Sequence, residues 1–138
     1  MKHIVYLVDD DEDDCYLAQI ALNPRADCEL KTFHDGQELI AFLRMHPGLP
    51  LPTLILLDLN MPVLNGFDTL VALKNHSHWA SIDVVVLTTS DHQVDKDRCL
   101  ALGAEGFLTK PTDFSSLQEV LASVSTCWQR LSAIEHLR

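Results

Sequence analysis

The chain has 138 residues, 47% of them apolar, with 20 acidic against 10 basic side chains and a formal charge of −10. That size suits one globular domain with an ordinary core, and no run approaches the ~20 apolar residues of a membrane span. Charge excludes nucleic acid as a direct partner, because gripping a polyanion needs clustered Lys and Arg and these are scattered.

The N-terminus, Met1-Lys2-His3, precedes only a short apolar run before acids begin. That is too short for a signal-peptide core, so a cytoplasmic location is expected. Cys15, Cys28, Cys99 and Cys127 show no C-x-x-C spacing and lie within apolar or helical patterns. Buried thiols in a reduced compartment are expected, not a disulfide framework.

In chain order, Ile4–Val8 is a short apolar strand that runs into Asp9-Asp10. An amphipathic helix follows, with Cys15, Leu17, Ile20, Ala21 and Leu22 apolar, and Asn23-Pro24 ends it. Cys28–Phe33 is a partly alternating strand with Cys28, Leu30 and Thr32 on one side. His34-Asp35-Gly36 breaks it, and Glu38–Met45 carries Leu39, Ile40, Phe42 and Leu43 at helical spacing. Pro47 to Pro52 is a loop.

The strand Leu54–Leu57 runs into Asp58, and a helix with Phe67, Leu70, Val71 and Leu73 follows, capped by Asn65. A polar loop, Lys74–Ser81, leads to the strand Val84–Leu87, which ends on Thr88. Asp91–Leu102 is helical and closes at Gly103. Gly106–Thr109 runs into Lys110-Pro111, and Thr112 or Asp113 caps a last helix with the stripe Phe114, Leu117, Val120, Leu121, Val124, Trp128 and Leu131. Alternating strands and helices at this spacing predict an α/β fold: a parallel sheet with right-handed crossovers and helices on both faces. In such sheets ligands bind beyond the carboxyl ends of the strands, where Asp9, Asp10, Asp58, Thr88 and Lys110 all stand.

Three carboxylates brought together repel one another unless neutralised. A divalent ion with oxygen-only ligands, for which Mg²⁺ is suited, and the Lys110 ammonium would balance them. The competing explanation for the six consecutive acids Asp9–Asp14 is that carboxylates favour a helix N-terminus. It accounts for Glu12, Asp13 and Asp14. Asp58 is different, since a carboxylate ending a buried strand is costly unless it is paired, metal-bound or reaches solvent. It is also a candidate nucleophile toward phosphorus, with metal and ammonium stabilising the transferring oxygens. The Lys110-Pro111 bond biases the lysine to an extended backbone, and a cis bond there is a second way of aiming the side chain into the cleft. The histidines, His76 and His78 included, form no metal-site pattern.

Taken together, Val8-Asp9-Asp10, Leu57-Asp58-Leu59-Asn60-Met61-Pro62 with Gly66, Leu87-Thr88-Thr89-Ser90, Gly103-Ala104 and Lys110-Pro111 resemble the receiver domain of two-component response regulators. The resemblance spans residues 3 to about 125, with a longer last helix to 138, as one domain. It implies a flavodoxin-like three-layer (βα)5 sandwich with strand order 2-1-3-4-5. By position it implies Asp58 as phosphoacceptor, Asp9 and Asp10 as the acidic pair, and the Asn60 backbone carbonyl as a further Mg²⁺ ligand. It likewise implies Thr88 as the switch hydroxyl, Phe107 as the switch aromatic, Lys110 as the phosphate-contacting lysine, and Asn60 and Ser90 as positions that set phosphoryl lifetime. Thr89 is bulkier than the small residue many receivers carry there.

The implied partners are a sensor histidine kinase, with Thr88-Thr89-Ser90, Leu59-Asn60-Met61-Pro62 and the Trp128 extension resembling stand-alone receivers paired with phytochrome-type kinases, and a downstream protein. No effector region follows in this sequence, so output through a partner, self-association or onward phosphotransfer is implied. Two surfaces suit a dimer: the fourth helix with the fifth strand and last helix, and the C-terminal extension. Trp128 packing back on its own domain is the alternative. An Asp-nucleophile phosphatase would need a general acid two residues after Asp58, where Asn60 cannot serve. A flavin module would need a phosphate loop where the acids stand. The expected role is therefore a phospho-accepting signalling domain and not an enzyme acting on external substrates.

Overall fold

A computed structural model describes residues 3–22 and 28–123. The elements run β1 (His3–Val8), α1 (Glu12–Leu22), β2 (Cys28–Phe33), α2 (Gly36–Met45), β3 (Leu54–Leu57), α3 (Gly66–Lys74), β4 (Asp83–Thr88), α4 (Gln93–Ala101) and β5 (Gly106–Thr109). A fifth helix, α5, covers residues 114–123. Every strand pairing is parallel and the sheet order is β2-β1-β3-β4-β5. The alternation expected from sequence and the strand order implied by the resemblance both hold.

Successive strand residues face opposite sides of a sheet, and here both sides are covered. Val5, Leu7, Leu54, Leu56, Val85 and Leu87 pack with Cys15, Ala18 and Leu22 of α1 and Leu117 and Leu121 of α5. Tyr6, Val8, Ile55, Leu57, Val84 and Val86 pack with residues of α2, α3 and α4. This is why β3 and most of β4 read as unbroken apolar runs. Burying each such side chain contributes ~1.5–3 kcal/mol. β2 lies at the edge, and its burial is correspondingly patchy, with Glu29 and Lys31 exposed.

Local chemistry sets the helix ends. Asn65 caps α3 by accepting from the Asp68 N–H at 2.9 Å, as expected. Asp35 does the same for α2 through the Glu38 N–H at 2.8 Å, and Asp113, one of the two candidates, caps α5 through Ser116. α4 closes at Gly103 with φ +106°. The Gly103 N–H donates to Leu100 O at 3.1 Å and the Ala104 N–H to Cys99 O at 3.0 Å, a left-handed C-terminal closure that favours glycine.

Several expectations fail in detail. Helical spacing puts Ile20, Val71 and Phe114 on the apolar stripes, but they are 43%, 37% and 65% exposed. In α1 the buried face is Cys15, Ala18 and Leu22, and in α3 it includes Thr69. Phe114 is the first residue of α5, and the buried positions of that helix are Leu117 and Leu121. α4 begins at Gln93 and not Asp91, because Ser90 is tied to Asp95 across the intervening turn. The supposedly polar loop after α3 buries Trp79, whose ring stacks on His76 at 3.7 Å. His76 Nδ1 accepts from the His78 and Trp79 N–H groups and turns the chain inward. No described peptide bond is cis, so Lys110 reaches the cleft from an ordinary trans backbone. Asn23-Pro24, Val124, Cys127, Trp128 and Leu131 lie outside the described residues. Cys15, Cys28 and Cys99 are buried.

Candidate functional site

The site is built one rung past the strands. The Asp9 N–H donates to Phe33 O at 2.9 Å, the Asp58 N–H to Val8 O at 3.0 Å and the Lys110 N–H to Thr88 O at 2.7 Å. Each charged residue is thus held by the last residue of a neighbouring strand. The ends are staggered: Leu57 pairs with Val86 and Thr88 with Thr109. Thr88 therefore stands one residue beyond the level of Asp58, and Lys110 one beyond Thr88. Gly66 closes the floor beneath, its N–H donating to Leu59 O at 2.9 Å.

Asp9, Asp58, Thr88 and Lys110 are all buried, whereas Asp10 is exposed. One carboxylate oxygen from each of Asp9, Asp10 and Asp58 lies within 4.8 Å of the others. Lys110 Nζ pairs with Asp9 Oδ2 at 2.6 Å and stands 3.6 Å from Asp58 Oδ2. Buried charges demand such partners. Burial pushes the Asp9 carboxyl up to about 7, against the attraction and hydrogen bond of Lys110, and the charge of Asp58 adds to the rise. Burial alone would lower Lys110, but the charge of Asp9 and the bonds from Asp14 and Asp9 outweigh it, so the ammonium is raised. The all-oxygen donor set and its excess negative charge fit a hard divalent cation.

The structure brings Asp9, Asp10, Asp58, Thr88 and Lys110 together. Thr88 Oγ1 is buried with no hydrogen-bond partner among the described residues. Phe107 is buried in the core that α2, α3 and α4 cover. Asn60 is exposed. Ser90 Oγ donates to Asp95 Oδ2 at 2.6 Å and accepts from the His92 N–H, while its carbonyl accepts from Thr109 Oγ1 at 3.1 Å. The Ser90 side chain is thereby engaged at the start of α4.

Two features escape a sequence reading. Asp14, attributed to the helix N-terminus, accepts from Lys110 Nζ at 2.6 Å. Asp11 caps α1, accepting from the Asp13 and Asp14 N–H groups. Asp13 and Asp14 both lie in the first turn of α1, and no local spacing singles out the one that meets Lys110. The second feature is Lys74, which bonds Glu105 at 2.6 Å and the carbonyls of Ala80 and Ile82.

A family model described as the response regulator receiver domain matches residues 5–122. The chain belongs to the receiver family. A similar curated protein is the response regulator Rcp1 of Synechocystis, 33% identical over 129 residues, covering 91% of this receiver and 88% of Rcp1. Among solved structures, the phosphorylated cyanobacterial phytochrome response regulator RcpA has a TM-score of 0.87 and 31% identity, covering 95% of this receiver and 96% of that chain. The Mn²⁺-bound form of Rcp1 has a TM-score of 0.83 at 33% identity, covering 91% and 94%. No described helix of this receiver is long and apolar enough to cross a membrane.

Proposed function

We propose that this receiver takes a phosphoryl group onto Asp58 from a sensor histidine kinase, with Mg²⁺ held by Asp9, Asp10, Asp58 and the Asn60 backbone carbonyl. The observation that carries the reading is the convergence of three carboxylates within 4.8 Å with an ammonium 3.6 Å from Asp58. When bound, the cation neutralises negative charge on the transferring phosphoryl oxygens. A carboxylate oxygen of Asp58 forms the new O–P bond as the donor's P–N bond breaks, the histidine nitrogen keeping the electron pair. Lys110 sits where it stabilises the charge on that group.

Thr88 supplies the switch. Its hydroxyl is buried with no partner among the described residues, a costly state that a phosphoryl oxygen on Asp58 would relieve. Moving Thr88 pulls the turn that Ser90 ties to α4, and so biases the α4-β5-α5 face between two pre-existing states. Because Phe107 is already buried, this turn carries more of the change than the ring does. Asn60 and Ser90, beside the site, set how long the phosphoryl group survives. The output face carries Val94, 76% exposed on α4, and suits a protein partner or a second copy. Similarity to a phytochrome response regulator favours a phytochrome-type kinase as donor.

The test is incubation with acetyl phosphate and Mg²⁺. An acid-stable, base-labile adduct of one phosphoryl per chain, lost in Asp58→Asn, is expected. Rapid multiple turnover on phosphoesters, or an adduct retained in Asp58→Asn, would sink the proposal. Solution mass with and without the adduct tests self-association.

A further inference from the structure

Lys110 is shared among more anions than its role at Asp58 requires. Its Nζ lies 2.6 Å from Asp9 Oδ2 and 2.6 Å from Asp14 Oδ2, but 3.6 Å from Asp58 Oδ2. Two of its three donors are therefore spent on carboxylates other than Asp58. The two partners differ in what else they can hold. Asp9 belongs to the cluster that fits a cation and is 1% exposed. Asp14 lies outside that cluster, on the first turn of α1, and its side chain is 15% exposed. Among the described residues, Lys110 is the cation paired with it.

We infer that Asp14 is a resting-state anchor for Lys110, which a phosphoryl group on Asp58 must displace. A doubly charged phosphoryl group next to Asp58 competes for the ammonium with whichever carboxylate is held least firmly. Asp9 is fixed by burial, by its N–H bond to Phe33 and by its place in the cluster. Asp14 is near solvent, and turning outward hydrates its charge at small cost. The exchange gives up the Asp14–Lys110 pair and forms a phosphoryl–Lys110 pair. It also unties the start of α1 from the segment after β5, since the pair joins those two parts of the chain. Asp14 is thus a positioning residue: it weakens phosphoryl retention by holding Lys110 back, and touches no reacting atom.

This inference rests on the phosphoacceptor reading of Asp58, and the experiment separates the two. Beryllofluoride, a phosphoryl mimic, is titrated at saturating Mg²⁺ into the wild-type chain, Asp14→Asn and Asp14→Glu, followed by ¹⁹F NMR. Asp14→Asn is expected to lower the half-saturating concentration about fivefold, in keeping with the loss of one partly exposed ion pair. Asp14→Glu, which keeps the charge, should stay within about twofold of wild type. In a Lys110→Met background the effect of Asp14→Asn should vanish, as a double-mutant cycle requires of a residue acting through another. Wild type that takes up no beryllofluoride overturns the phosphoacceptor reading. Wild type that binds while Asp14→Asn binds equally or more weakly overturns only the exchange. An effect that persists without Lys110 marks general repulsion and also overturns it. A role limited to the helix N-terminus would appear as a lower melting temperature with beryllofluoride binding unchanged.

Discussion

Gly66→Ala is the substitution most directly set by the geometry of the site. A Cβ at this position would lie 2.6 Å from Leu59 Cα and 3.0 Å from the Asp58 carbonyl carbon, and closer still to the Asp58 carbonyl oxygen. Carbon atoms sit comfortably at ~3.5–4.0 Å, so α3 must withdraw from the end of β3 by about 1 Å. Overpacking of this kind costs ~1–3 kcal/mol. Weakening the Gly66 N–H bond to Leu59 O adds ~1 kcal/mol. The helix preference of Ala over Gly returns at most ~1 kcal/mol. The net loss is therefore about 2 kcal/mol, measured as a lower urea midpoint at unchanged m-value. Because the clash falls on the carbonyl of Asp58, the proposed phosphoacceptor, uptake from acetyl phosphate should slow as well. Gly48→Ala, with nothing within 4 Å of its added carbon, is the control and should shift stability by less than ~0.5 kcal/mol. Equal urea midpoints for the two variants would refute the reasoning, as would wild-type phosphoryl uptake in Gly66→Ala.

Three further outcomes are expected. Thr88→Val removes a buried hydroxyl with no partner among the described residues at nearly constant volume, so the unphosphorylated chain should be unchanged or up to ~1 kcal/mol more stable in urea melts; a loss of more than ~1 kcal/mol would show that the hydroxyl has a partner. Lys74→Met leaves Glu105 with only the Val84 N–H and takes the ammonium donor from the Ala80 and Ile82 carbonyls; it should cost ~2 kcal/mol, with a less than additive double variant with Glu105→Gln. In chelator, the melting temperature should fall as pH rises from about 4 toward about 7: burial raises Asp9 from 3.8 to about 7 in the fold, so the folded chain binds that proton more tightly than the unfolded one. Saturating Mg²⁺, which binds the ionised form, should flatten that slope, and Asp9→Asn should reduce it. A melting temperature that climbs with pH in chelator would contradict the assignment.

The strands and the residues that end them were legible because burial leaves little choice. A carboxylate or ammonium directly after an apolar run has to be explained by something nearby, and Asp58 and Lys110 both meet that condition. Asp14 was not legible for the opposite reason. Inside a run of acids that begins a helix, the favourable helix-end interaction explains every carboxylate equally well, and only the position of Lys110 separates Asp14 from Asp13. Lys74 and Glu105 lie 31 residues apart, beyond any local pattern. Trp79 was hidden by its polar neighbours, because the inward turn depends on one histidine nitrogen accepting two backbone donors. The stagger of Thr88 against Asp58 is a matter of register, which apolar runs of this kind do not specify.

The bonds that fix Asp9, Asp58 and Lys110 to neighbouring strands have a consequence for how such a chain can vary. Adjacent strands keep a spacing of ~4.8 Å whatever covers them, so the backbone separation of Asp9, Asp58 and Lys110 is inherited from the sheet. The solvent-facing sides of α1, α4 and α5 are then free to accumulate substitutions without detuning the chemistry. The spacing of the charged groups and the outer surface of the helices can therefore diverge independently in one small chain, because they belong to different layers of it.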